Sequence, residues 1–267
     1  MHEQTGRHAS RRYQRRRQYL AAAAALVVAG GLTFALGSAD AATSVSLSGW
    51  KLSLPVNSSG QQSGASATVD PAAVDPPWLT RNSNGSLTFF APTKGAHSPH
   101  SLHPRTELVR TSDFTAGSGN HTMAGTFVMQ KLPSAQDIII GQIHCGGADS
   151  SIPLLMLHYK HTSSDAANSG RVFLVVRTNP TVAGTDTATV LSGVPMNAAF
   201  SYTITANGSS FTVSATSGSK SGKSTIALNS SFKGKDVRFQ VGDYQQTEAN
   251  NSSTDGGKLT INALTAN

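Results

Sequence analysis

Three short stretches carry side chains whose types and spacing could bind an anion and move protons. Arg105-Thr-Glu-Leu-Val109 places a guanidinium and a carboxylate, Arg105 and Glu107, on one side of a strand, because side chains alternate along it. Asp137-Ile-Ile-Ile-Gly-Gln-Ile-His144 ends with Gln142 and His144 on one face and Ile143 on the other. Val237-Arg-Phe-Gln-Val-Gly-Asp-Tyr-Gln-Gln246 sets Phe239, Val241 and Asp243 against Gln240, Gly242, Tyr244 and Gln246. The second of these faces is polar, and a glycine inside a strand marks a bulge or a place where a ligand nears the backbone. Taken singly, each stretch reads as a half-solvated antiparallel strand. Together they offer a guanidinium, a carboxylate, an amide, an imidazole and a phenol, a set suited to binding an anion and to general acid and base work.

Such groups need a rigid platform, and the rest of the chain reads as one. No stretch sustains a helical period, and short β-rich runs alternate with Gly, Ser, Asn and Pro clusters. Strands are expected at 45–54, 87–90, 123–132, 137–144, 154–160, 171–178, 200–206, 210–215, 224–228, 237–246 and 259–264. Asn207-Gly208 marks a tight hairpin turn, Trp50 a core position, and 57–78 loops with a short helical turn. These spacings predict an all-β sandwich of two antiparallel sheets in a single domain.

The chain has 267 residues, ample for one large β domain. Its first part reads differently. Five arginines between Arg11 and Arg17 precede the apolar run 20–36, and Ala39-Asp-Ala41 offers small residues around a cleavage point, so residues 1–41 are expected to be a secretory signal peptide and 42–267 the mature domain. Arg16-Arg-Gln-Tyr-Leu20 is also similar to a twin-arginine export signal. A secreted protein, free of the membrane once the leader is removed, is the expectation. Residues 1–42 hold six of the 21 Lys and Arg and two of the 14 Asp and Glu, so residues 43–267 carry 15 against 12, a formal charge of +3 rather than +7. That excess helps draw a polyanion to a cleft but lacks the basic clusters of a nucleic-acid binder. Cys145 is the single cysteine, which rules out an internal disulfide. His97, His100 and His103 stand three apart, but Pro99 and Pro104 deny them a helix and no second ligand cluster accompanies them, so no metal site is expected; a loop leading to Arg105 accounts for them, with contact to an anionic substrate left open. Arg171 and Arg177 share a strand parity and can add positive charge to one sheet face.

With these segments in hand, the sequence resembles the family-7 polysaccharide lyases, alginate lyases with a concanavalin-like β-jelly roll. Arg105-Thr-Glu-Leu108, Gln142-Ile-His144 and Phe239-Gln-Val-Gly-Asp-Tyr-Gln-Gln246 match the family's three motifs in order. The resemblance implies β-elimination from a uronic-acid polymer without a cofactor. Arg105, Gln142 and His144 would neutralise the uronate carboxylate, and Tyr244 would give a proton to the departing O4. Tyr244 would also take the C5 proton of mannuronate, where both groups lie on one side. His144 would take it from guluronate, where they lie on opposite sides. Glu107, Arg110, Gln240 and Gln246 would contact the substrate or orient the groups that do. Ile143 between Gln142 and His144 leans toward guluronate-containing alginate in this family.

Two positions depart from the family pattern. Val109 stands where a second arginine is common, with Arg110 one place later and so on the other strand face, and Gln240 stands where lysine is usual. The missing charge keeps another polyuronate such as glucuronan open as substrate. A non-catalytic carbohydrate-binding module remains a further alternative. A glycosidase is disfavoured by the absence of a convincing pair of strand-borne carboxylates. The protein is expected to act as a monomer on an acidic polysaccharide, with no nucleic-acid partner.

Overall fold

Because the strands of this chain must cover a core with one face and present polar groups on the other, their sequences alternate, and the two sheets they build are antiparallel throughout. The computed structural model describes residues 45–267 apart from 75, 150, 182 and 249–251. The expected signal peptide lies outside the described residues. The larger sheet runs from edge to edge as β11 (Thr185–Pro195), β10 (Ser169–Arg177), β9 (Pro153–Lys160), β8 (Asp137–Cys145), β15 (Asp236–Gln245), β5 (Arg105–Arg110), β1 (Trp50–Ser53) and β2 (Thr68–Val69), with β6 (Phe114–Thr115) also paired to β15. The second sheet runs β14 (Lys220–Ala227), β13 (Ser210–Ser217), β12 (Ala199–Ala206), β7 (His121–Lys131), β16 (Gly256–Ala266), β4 (Leu87–Pro92) and β3 (Leu79–Arg81). Consecutive strands often lie in different sheets, as a jelly roll requires.

The core is the seam between the sheets. Leu52, Leu108, Ile143, Phe239 and Val241 from the larger sheet meet Phe89, Phe127, Tyr202 and Leu259 from the smaller, all buried. Each such side chain contributes about 1.5–3 kcal/mol relative to exposure. Phe127 stacks flat on Tyr202 with centroids 4.3 Å apart; Trp50 packs into the same cluster as expected, and Cys145 joins it. The Asn207-Gly208 hairpin joins β12 to β13, with Gly208 in the left-handed region at φ +82. The short helical turn falls at Pro71–Ala73, capped by the Asp70 side chain.

The short strands β2, β3 and β6 and the longer β11 escape the sequence reading. β11 is mostly exposed and its residues are Thr, Asp, Ala, Ser and Gly with few apolar anchors, so an edge strand broken by two register shifts leaves no clear alternation.

The irregularity that matters for function lies in β15. Its pairing with β8 slips between Val241 and Tyr244, so that three steps on β15 oppose two on β8. This is a bulge, which re-aims the side chains beyond it. Gly242 sits within it at φ +154, and a Cβ there would stand 2.5 Å from Thr106 O and 2.8 Å from Glu107 Cα. The glycine is therefore needed because β5 presses against it, not because a ligand does.

Asp243, next in the bulge, points into the sandwich. It is fully buried, and one oxygen accepts from Ala91 N of β4 at 2.8 Å while Oδ1 has no partner. Desolvation raises its pKa well above the ordinary carboxylate value, with Glu107 adding to the rise and the Ala91 hydrogen bond opposing it. A carboxyl whose folded pKa is raised contributes stability fully present below its unfolded value, which is lost as pH climbs toward the folded value. Asp243→Asn keeps the acceptor for Ala91 N and removes this loss. It is expected to raise Tm by about 3–6 °C at pH 8 and to leave it nearly unchanged at pH 3, as read by thermal unfolding at the two pH values.

Candidate active site

Three adjacent strands at the middle of the larger sheet, β8, β15 and β5, bring the expected residues together on its outward face. Register does the positioning. Tyr244 lies opposite Arg105, Gly242 opposite Glu107, and Gln240 opposite both Gln142 and Val109, while His144 faces Arg238 across the β8–β15 pair. A second irregularity, in β8 between Ile139 and Gly141, lets Ile138 and Ile140 face the core and returns Gln142 and His144 to the outward side. Gly141 is small because Tyr202 rises beneath it, its hydroxyl 2.5 Å from where a Cβ would be.

At one end of the floor, the Arg105 guanidinium lies over the Tyr244 ring, 3.6 Å from its centroid. That arrangement holds the cation flat on a π face and leaves the phenol oxygen at the ring edge, where Ser101 Oγ meets it at 2.6 Å. Arg105 reaches Glu107 only at 3.5 Å. The stronger partner of Glu107 is Gln142, whose Nε2 donates to Glu107 Oε1 at 2.6 Å and, more weakly, to Gln240 Oε1 at 3.3 Å. Glu107 thus orients Gln142 more closely than Arg105, and it does not line the cleft itself, so of the two expected uses the orienting one fits and direct substrate contact does not. Glu107 is wholly buried, and burial raises its carboxyl pKa against the opposing pull of Arg105 and Gln142. Arg105 Nε and Gln142 Oε1 are buried with no hydrogen-bond partner.

His144 closes the other end. Its Nδ1 lies 3.1 Å from the carbonyl oxygen of Cys145; when Nδ1 donates there, Nε2 is left as an acceptor. Desolvation is the main reason its pKa falls to about 4, helped by the nearby charges of Arg105 and Arg238 and opposed by the Cys145 hydrogen bond. At neutral pH burial therefore holds His144 as a neutral imidazole, able to accept a proton at Nε2.

These residues line a cleft of about 580 Å³, walled by Ser66, Thr68 and the 98–101 loop on one side and by Pro153, Met156 and Arg177 on the other. Arg105, Gln142, His144, Gln240, Tyr244 and Gln246 all reach it. Gln246 also turns its amide back to the carbonyls of Tyr244 and Gln245, at 3.2 and 3.1 Å. Arg110 does not line the cleft, contrary to the expected substrate contact. It falls on the other alternation of β5, where its guanidinium lies over the Trp50 ring at 5.2 Å and near Ser48 O at 3.5 Å. Arg177 reaches the cleft, whereas Arg171 is tied to Asp165 at 2.7 Å. Of the three loop histidines, His100 lines the cleft, while His103 contacts Thr247 O and His97 contacts Ser98 O.

Two contributors were not anticipated. Arg238 lines the cleft beside His144 and is held by Asp113 through Nε at 2.7 Å and a second nitrogen at 3.0 Å. It shares the alternation of Gln240, so parity alone could have found it. Ser101 comes from a loop distant in sequence and had no local signal.

A jelly roll whose outward sheet face carries a guanidinium, a neutral imidazole and a phenol around an amide-lined cleft defines an enzyme that handles an acidic polysaccharide. Comparison with known proteins narrows the class. An alginate lyase family model matches residues 45–267. An alginate lyase from Pseudomonas aeruginosa superimposes with a TM-score of 0.71 at 26% identity, over 83% of this chain and 99% of that one. One from Klebsiella pneumoniae gives a TM-score of 0.71 at 20% identity, over 85% and 97%. Alginate lyase A1-II′, of polysaccharide lyase family 7, gives 0.68 at 21% identity, over 84% and 96%. No curated protein matches the sequence. The chain belongs to the alginate lyase family, polysaccharide lyase family 7, and is a polysaccharide lyase.

Proposed function

We propose that this protein is a secreted, monomeric lyase that cleaves guluronate-containing alginate by β-elimination and leaves a 4,5-unsaturated uronate at the new non-reducing end. The observation that carries the reading is the placement of His144 and Tyr244 at opposite ends of the floor formed by Gln142 and Gln240. A neutral base on one side and a proton donor on the other suit a sugar whose C5 hydrogen and O4 lie on opposite faces. Substrate class finds support in A1-II′, a Tyr→Phe variant of which has been solved with the product GGG and a His→Asn, Tyr→Phe double variant with the substrate GGMG. Ile143, by contrast, is buried in the core and touches no sugar, so it bears on preference only through the packing of β8. The secreted location rests on the composition of residues 1–41.

The uronate carboxylate sits against Arg105, which binds it as a charged pair. His144 Nε2 takes the C5 proton, the electron pair forms the C4=C5 double bond, the C4–O4 bond breaks, and O4 takes the proton of Tyr244. Charge that develops on the carboxylate is the costly feature, and each donor aimed at it is worth about 3 kcal/mol. Gln142 becomes such a donor when Glu107 carries a proton, the state that its burial favours. Glu107 then donates to Gln142 Oε1, the atom now without a partner, and the amide turned about its terminal torsion presents Nε2 to the cleft. Binding a carboxylate beside Arg105 also offsets the charges that hold His144 down, so the imidazole becomes a better base in the complex than in the free enzyme.

The test is the rise of ultraviolet absorbance from the conjugated double bond when purified residues 42–267 meet polyguluronate, polymannuronate or glucuronan. The expected result is a rise on both alginate blocks, fastest on polyguluronate. A rise on glucuronan alone would replace the substrate and keep the chemistry. Binding without any rise would leave a carbohydrate-binding module.

A further inference from the structure

Tyr244 has a partner that the three strand motifs do not supply. Ser101 Oγ stands 2.6 Å from its phenol oxygen, brought there by a loop pinned along its length. Ala96 N donates to Pro55 O at 2.9 Å, and His97 N to Gly64 O at 3.1 Å. Ser101 N donates to Ser98 O at 3.1 Å. His103 Nδ1 contacts Thr247 O at 3.0 Å, just past the end of β15. The hydroxyl is therefore presented by a scaffold and is not a freely swinging group. His103 N donates to Ser101 Oγ at 3.1 Å, which occupies one lone pair. The alternative acceptor for the hydroxyl hydrogen, His103 O, is 3.5 Å away and too long to hold it. The hydrogen remains free to turn toward Tyr244.

We propose that Ser101 is a positioning residue for proton transfer at Tyr244, accepting from the phenol before reaction and donating to the phenolate oxygen once the proton has gone to O4. The inference rests on the lyase reading above. Ser101 keeps its own proton throughout; only the direction of one hydrogen bond reverses. An O–H···O⁻ bond is shorter and about twice as strong as its neutral counterpart, so the contact strengthens as the C4–O4 bond breaks. An interaction that grows toward the transition state raises kcat and leaves KM almost untouched. Arg105, on the face of the same ring, acts in the same direction from another side.

The experiment compares wild type, Ser101→Ala and Ser101→Thr by ultraviolet initial rates across pH, on the block that the wild type cleaves best, with Tm measured for each. Ser101→Ala is expected to lower kcat by about 10–100-fold with KM within about twofold, in line with losing one hydrogen bond to a charged group, and to move the kcat profile to higher pH. Ser101→Thr, which restores the hydroxyl, is expected to recover most of the loss. A Ser101→Ala enzyme with kcat within about twofold of wild type, the change expected when no charged hydrogen bond is lost, and an unmoved profile overturns the proposal. So does a loss that Thr fails to repair with the profile unmoved, which marks a purely structural role for the loop. A wild type inactive on every polyuronate overturns the lyase reading itself, whereas an active wild type indifferent to Ser101 overturns this inference alone.

Discussion

Tyr244→Phe is expected to lower kcat on every alginate block by about 10³-fold or more while KM and Tm change little. The substitution removes one oxygen and leaves the ring, which is nearly buried and stacked under Arg105 at 3.6 Å. Packing and the cation–π contact therefore survive, and the floor of the cleft keeps its shape. What disappears is the group that protonates O4 in the proposed mechanism. General acid catalysis contributes about 10²–10⁴-fold, and the neighbouring Gln142, Gln240 and Arg105 are no substitute acid, because neither an amide nor a guanidinium gives up a proton near neutral pH. Steady-state rates by ultraviolet absorbance, beside calorimetric binding of an alginate oligomer, separate the two contributions. Retention of a tenth of the wild-type kcat would remove Tyr244 from the proton path, and an equal loss of binding would make it a contact residue instead.

The strand-borne part of this site was legible because a strand's alternation fixes which residues share a face. Arg105, Gln240 and Tyr244 point outward as their parity demands, Gln142 and His144 do so opposite Ile143 although an irregularity in β8 separates them from Ile138 and Ile140, and Phe239 and Val241 point into the core. The glycine at 242 correctly announced a bulge, though its reason is the approach of β5 and not of a ligand. Arg110 shows the limit of carrying a motif across a one-residue shift: the strand does not bulge there, so parity sends the guanidinium to Trp50. Pair identities were less accessible than faces. Glu107 holds Gln142 more closely than Arg105, and the choice depends on distances within a strand trio that sequence does not encode. Loop-borne groups were least accessible. Ser101 is 143 residues from Tyr244, and only the folded loop brings them together. The edge strand β11 failed for a different reason, since a strand with one neighbour and few buried positions carries little hydrophobic pattern.

His144→Asn is expected to separate the two alginate blocks, lowering kcat on polyguluronate by about 10³-fold and on polymannuronate by only about 10-fold, because proton abstraction by a placed base is worth about 10²–10⁴-fold. In the proposed mechanism the C5 proton of guluronate lies on the face away from Tyr244, and the imidazole is the base that takes it. In mannuronate the phenol side can serve both steps, and His144 only assists. The pH dependence follows from the same group. With its folded pKa lowered to about 4, His144 is unprotonated in the free enzyme at any pH well above that value. The acid limb of kcat/KM on polyguluronate is therefore expected near pH 4, and that of kcat higher, since the bound carboxylate offsets Arg105 and Arg238 and favours the imidazolium. The depressed pKa also carries a stability consequence. The unfolded chain binds a proton at His144 below about pH 6.5 that the folded chain refuses until about pH 4, so stability is full above the first value and falls across that window. His144→Asn should flatten this part of the Tm-against-pH curve. Equal losses on the two blocks, with the acid limb of kcat/KM unmoved, would take the base role away from His144 and return both proton transfers to Tyr244.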